Sequence, residues 1–333
     1  MAAGVVVSVP LVDATPTTFA IYSEDRWDHE DLGRQMIEQS GLDLLMGTGH
    51  PLYDENSRRR AEEDHEYFLV GGQDIWHRIL AGEAGTAGGR RPWRLVEMRD
   101  EFLELIDGEV TDRILGIPRV RGGLQYDRDG NGDAEPFEVP FIEGIPTLEQ
   151  MTRAALNVLS QQGDGFFVMV EGGAIDWAGH HNNSPRLIEE HVDFDNAVQA
   201  AVDWVEAHSS WNETLIIVTS DHECGYLLGP GSGPDAEPMF RPVEHRGKGV
   251  MPGLEWHSDG HTNKLIPFFA RGIGAEQFRE HIIDIDPERG PYLHIKAVGR
   301  VGFELLGADW RQPAAQQTES ESDPTEHADG ANR

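Results

Sequence analysis

Gly165-Phe166-Phe167-Val168-Met169-Val170-Glu171-Gly172-Gly173-Ala174-Ile175-Asp176 is an unbroken apolar run that stops on an acid and two glycines. A strand that is apolar on both faces belongs inside a sheet covered on both sides, the habit of parallel sheets in α/β proteins. Leu215–Val218 and residues 265–270 repeat the pattern. Between the first two runs, Ser184–His208 has amphipathic helical spacing, with Pro185 near its first turn, where its missing N–H costs nothing. Upstream, Thr147-Leu148-Glu149-Gln150 has the spacing of a capping box and opens a helix to about Ser160. Together these imply an α/β fold: a mostly parallel central sheet with helices on both faces.

Working outward, residues 5–9 form a further buried strand, followed by the polar turn Asp13-Ala14-Thr15-Pro16. Residues 29–41 have helical periodicity, and residues 43–46 suggest a short strand before Gly47-Thr48-Gly49. Residues from about 56 to 146 are Gly- and Arg-rich and are expected to be an irregular insert in a domain of residues 1–311. Residues 312–333 carry almost no apolar side chains and are expected to form a disordered acidic tail.

The chain holds 59 acidic and 27 basic residues, a formal charge of −32. A field of that sign argues against nucleic acid or an anionic membrane as general partners. It suits solubility at high salt, so a halophilic source is expected. Lys248, Lys264 and Lys296 are the only lysines, and Cys224, the only cysteine, excludes an intrachain disulfide. The apolar runs are too short to cross a bilayer, and the start, MAAGVVVSVPL, lacks the basic region of a secretory signal.

In parallel α/β sheets, ligands gather beyond the carboxyl ends of the strands. Glu171, Asp176 and His180 follow one strand, Asp221 and His222 the next, and His261 precedes the third. The two apolar runs are expected to be neighbours that deliver their ligands to one edge of the sheet. Imidazole with carboxylate suits zinc, whereas carboxylate with hydroxyl suits magnesium. Singly, each residue is an ordinary strand-end acid or surface histidine. Clustered beside glycines that allow close backbone approach, they indicate a metal-binding hydrolytic centre.

At this point the residues resemble a family. The segments from Gly165 through Glu171-Gly172-Gly173 and Asp176 to His180, Val218-Thr219-Ser220-Asp221-His222-Glu223-Cys224-Gly225, and His257-Ser258-Asp259-Gly260-His261-Thr262 resemble the alkaline phosphatases in order and spacing. So does Asp13-Ala14-Thr15-Pro16 with Arg26 eleven residues beyond Thr15. The resemblance implies two zinc ions and one magnesium. Asp176, His180 and His261 would hold one zinc, and Asp221 and His222 part of the other. Thr15 and Glu171 would bind magnesium, with Asp13 on a magnesium-bound water. Arg26 would clamp phosphate oxygens with its planar fork. Small phosphate monoesters as substrates, a homodimer and a place outside the cytoplasm are implied in the same way. Phosphodiesterases and sulfatases of the same superfamily share parts of the ligand set. The Asp13/Thr15 element with Arg26 and Glu171 favours the monoesterase.

Two parts of the family pattern are missing. A glycine-flanked aspartate on a first strand and a serine nucleophile in an Asp-Ser-Ala turn have no counterpart. Ser8 lies inside a strand run, and Asp164 precedes a strand instead of ending one. The chain resembles the C-terminal two-thirds of the family. A fragment, a split protein or a non-catalytic metal-binding remnant would each account for this, and little or no turnover is expected of the chain alone.

A second loop, Asp127-Arg128-Asp129-Gly130-Asn131-Gly132-Asp133 with Glu138 at the twelfth position, has the ligand spacing of a calcium loop. Pro136 inside it and Gly122-Gly123 ahead of it favour a solvated acidic turn, with calcium as the alternative.

Overall fold

The computed structural model describes residues 1–132 and 134–307, so the expected tail at 312–333 lies outside the described residues. The chain begins with β1 (Ala2–Pro10), α1 (Ala14–Ala20), α2 (His29–Glu38) and β2 (Leu44–Thr48). It continues through α3 (Gln73–Leu80), β3 (Trp93–Val96), α4 (Arg99–Asp107) and β4 (Arg113–Gly116). Then come α5 (Leu148–Ser160), β5 (Phe166–Glu171), α6 (Ala174–His180), α7 (Ser184–His208) and β6 (Leu215–Val218). Short strands follow: β7 (Glu223–Cys224), β8 (Leu227–Leu228), β9 (Glu255–Trp256) and β10 (His261–Thr262). The last elements are β11 (Phe269–Gly272), β12 (Ile282–Asp286), β13 (Gly290–Leu293) and α8 (Lys296–Leu305).

Five strands form one sheet in the order β3-β4-β2-β1-β5, every neighbouring pair parallel. β1 lies inside the sheet between β2 and β5, and side-chain alternation divides it between two cores. Val6 points into one core with Leu44, Met46, Phe102 of α4 and Met151 and Val158 of α5. Val5, Val7 and Val9 point into the other, with Leu45, Met36 of α2 and Trp76 and Ile79 of α3. Both faces of β1 are therefore dry, which is why its sequence is continuously apolar. Gly4 lets α5 lie directly on the sheet, since a Cβ there would come within 2.7 Å of Leu159 Cδ1.

Local signals act where the sequence places them. The Thr147 hydroxyl accepts from Gln150 N while the Gln150 side chain accepts from Thr147 N, satisfying two orphan donors at the start of α5. Asn183 caps α7, with Pro185 in its first turn. The Asp13 turn continues into the short helix α1, with Asp13 as its N-cap.

Two differences from expectation matter. Residues 56–146 are not merely irregular: they supply β3 and β4, two of the five parallel strands, and helices α3 and α4. In addition, β6 is not the sheet neighbour of β5. It pairs antiparallel with β11 in a separate two-stranded ribbon, Val218 opposite Phe269, whose core is closed by Phe278, Ala297 and Val301. An apolar run reports burial but not the identity of the neighbouring strand. β5 is consequently an edge strand, and Phe167 on it is 44% exposed and stacks on Phe19.

Candidate metal centre

The carboxyl ends of β1 and β5 lie side by side, with Val7 opposite Glu171. β1 runs on to Asp13 and Thr15, and β5 runs through Glu171 into α6. Gly173 permits that turn, because a Cβ there would press to 2.7 Å on Val9 Cγ2. Burial pushes the Glu171 carboxyl up to about 7, opposed by the Thr15 hydroxyl that bonds it and reinforced by Asp13, Asp221 and Asp176. Its Oε2 is buried without a hydrogen-bond partner. A carboxylate this enclosed, with a hydroxyl and further acids around it, is suited to a cation.

One turn along, α6 carries Asp176 and His180 on one face, Nε2 to Oδ2 3.4 Å. His180 Nδ1 lies 2.6 Å from the carbonyl of Asp259. A carbonyl only accepts, so Nδ1 holds a proton, and the neutral ring keeps its lone pair on Nε2. That lone pair faces Nε2 of His261 at 3.0 Å. His261 Nε2 also lies 3.3 Å from Asp176 Oδ1.

The β6 side contributes His222, whose Nε2 is 3.1 Å from Asp221 Oδ2 and whose Nδ1 is 3.9 Å from Asp176 Oδ1. Its ring stacks on His261 with centroids 3.4 Å apart. Asp176 Oδ1 and His222 Nδ1 are buried without hydrogen-bond partners. Buried oxygens and nitrogens without partners, turned toward one another, could hold a cation. The donor types also fit, since carboxylate and imidazole are zinc ligands.

The sequence reading missed one member. Cys224 Sγ belongs to the same constellation, with donor atoms of Asp176, His180, Cys224 and His261 all within 4.8 Å of one another. Burial, then the Asp176 carboxylate, pushes its thiol up to about 12. Cys224 stands two residues beyond His222, on the same side of an extended segment, and that spacing was the available signal.

Other expected residues make contacts of their own. Arg26 is exposed between α1 and α2, its guanidinium 4.6 Å above the Trp27 ring. In the second loop, Asp127 accepts from Gly123 N at 2.9 Å and Asp129 pairs with Arg58 at 2.7 Å. Asn131 accepts from Asn183 at 2.6 Å, and Glu138 accepts from Glu135 N at 2.9 Å. Asp133 lies outside the described residues. The four described side chains thus each serve a separate local contact.

Residues 1–251 match the family model described as alkaline phosphatase. The repressible alkaline phosphatase of Saccharomyces cerevisiae is 30% identical over 236 residues, covering 68% of this chain. This chain spans only 38% of that relative's length. Among solved structures, the alkaline phosphatase of the Antarctic bacterium TAB5 is 25% identical with a TM-score of 0.55, covering 84% of this chain and 67% of that one. A variant of the TAB5 enzyme, described with magnesium bound, is 25% identical with a TM-score of 0.53 over the same shares.

Proposed function

This chain belongs to the alkaline phosphatase family, and from that premise we propose that its centre is that of a phosphate monoester hydrolase built for two zinc ions and one magnesium. The observation that carries the reading is the convergence of Asp176, His180 and His261, with a buried, unpartnered Asp176 oxygen between them.

Asp176, His180 and His261 hold one zinc, and Asp221 with His222 hold the second in part. Glu171 and Thr15 hold magnesium, and Asp13 orients a water on it. The Thr15 bond to the buried Glu171 supports that grouping, as does the magnesium described for the TAB5 variant. Bound there, the ions neutralise charge on the attacking and leaving oxygens of a phosphate ester. The Asp259 carbonyl fixes the His180 ring so that its Nε2 stays a donor of electrons. Arg26 clamps two phosphate oxygens, a task for which a planar guanidinium is better shaped than an ammonium.

No serine of the chain stands in an Asp-Ser-Ala turn. We therefore expect this chain alone to bind metal and phosphate with little hydrolysis. A non-catalytic metal-binding protein is the second reading, favoured by the same missing nucleophile. Zinc content measured alongside phosphate binding and p-nitrophenyl phosphate hydrolysis tests both. About two zinc ions with phosphate bound or p-nitrophenyl phosphate hydrolysed supports the hydrolase centre, and metal with neither supports the second reading. A chain that retains no zinc after dialysis refutes both.

A further inference from the structure

We propose that Cys224 is a fourth protein ligand of the ion held by Asp176, His180 and His261, giving that ion a thiolate bond. The proposal rests on the metal-centre reading above and adds a residue to it. Cys224 and His261 are partners in the antiparallel β7–β10 pair, so backbone pairing fixes them opposite each other. Helix α6 lies directly on the cysteine. A Cβ on Gly179 would come within 2.9 Å of Cys224 Cβ and 3.0 Å of its Sγ. The glycine thus brings the turn that carries Asp176 and His180 onto the sulfur.

The bland alternative is a small core residue filling space. The surroundings oppose it. The sulfur lies beside the Asp176 carboxylate, and the unpartnered Asp176 Oδ1 belongs to that same carboxylate. Two imidazole nitrogens complete the group within 4.8 Å. One carboxylate, two imidazoles and one thiolate are four donors suited to zinc, whose preference for sulfur and nitrogen magnesium does not share and which can expand to a fifth position for a substrate oxygen. On binding, the S–H bond gives way to a sulfur–metal bond, and the proton leaves to solvent.

Cobalt(II) reads out the bond directly. It is bound by equilibrium dialysis to the full chain, and thiolate-to-cobalt charge transfer is followed in the near ultraviolet. The expected result is a charge-transfer band that saturates with bound cobalt and is absent from Cys224→Ser and Cys224→Ala. Because Cys224 is the only cysteine, alkylation by iodoacetamide gives a second reading that needs no variant. Zinc should slow it about tenfold or more, since a metal-bound thiolate is withdrawn from reaction, and a chelator should restore it. Bound cobalt with visible d–d bands but no charge-transfer band, and alkylation indifferent to zinc, would overturn the Cys224 bond while leaving the metal centre standing. No cobalt bound at all would overturn both.

Discussion

Arg128 and Glu189 form a buried ion pair at 2.9 Å, each side chain only 1% exposed. The same Glu189 oxygen receives Arg186 at 2.7 Å, and the other accepts from Phe137 N at 2.6 Å. One carboxylate on α7 thus pairs with two buried guanidinium groups and fastens the loop that precedes α5.

Removing that carboxylate leaves two charges stranded in a dry interior. Glu189→Ala is expected to destabilise the protein by about 3–5 kcal/mol, measured as a shift in the urea unfolding midpoint. A loss below about 1 kcal/mol, the range of surface pairs, would show the cluster to be hydrated.

The neighbouring Glu190 behaves oppositely. Burial, with Asp193 and Glu189 adding to it, pushes its carboxyl up to about 8. The folded state therefore keeps a proton that the unfolded state has lost above its ordinary value of 4.5. Between these values the native chain binds more protons, so stability falls as pH rises and the contribution is gone above about 8. Glu190→Gln should flatten the decline by up to about 1.4 kcal/mol per pH unit. Parallel stability–pH curves for the two proteins would contradict the assignment.

Zinc should stabilise the folded chain, because the unfolded chain has no assembled ligand set. At about a hundredfold excess over its dissociation constant the gain is about 2.7 kcal/mol, seen as a higher melting temperature that EDTA reverses. His180→Ala and Asp176→Asn should each remove most of the shift attributed to the first ion. A full shift in either variant would place the ion elsewhere.

Salt should raise stability as well. With a formal charge of −32, the compact state is strained by self-repulsion. Going from about 0.01 M to about 1 M salt shortens the screening length from roughly 30 Å to 3 Å. The thermal midpoint is expected to climb across that range. A flat or falling midpoint would mean that attractive pairs outweigh the excess charge.

How much of this could be read from residues alone depended on how local the signal was. The capping box at Thr147 and Gln150 and the proline at 185 mark α5 and α7 because those signals act within a single turn. The valines of β1 announce a strand buried on both faces for the same reason. Helices α3 and α4 are one or two turns shorter than a clear periodic pattern needs, so Ile75, Trp76, Phe102 and Leu105 were hidden in a Gly- and Arg-rich stretch. The pairing of β6 with β11 is non-local, and no residue in either strand names its partner. Ligands next to strand ends were legible from spacing. For Cys224 the spacing from His222 was only a partial signal, since its meeting with His261 depends on β10 arriving from 37 positions further along the chain.

The contact between His180 and His261 joins points 81 residues apart in the chain. An ion gripping both nitrogens closes a loop of that length. In polymer terms its effect falls on the unfolded chain, which forfeits every configuration in which those points are far apart. For a permanent link of this span the forfeited entropy is worth roughly 4–5 kcal/mol. The centre is then a clasp between α6, which follows the last strand of the five-stranded sheet, and the β7–β10 pair, and the tether it forms can be undone by a chelator.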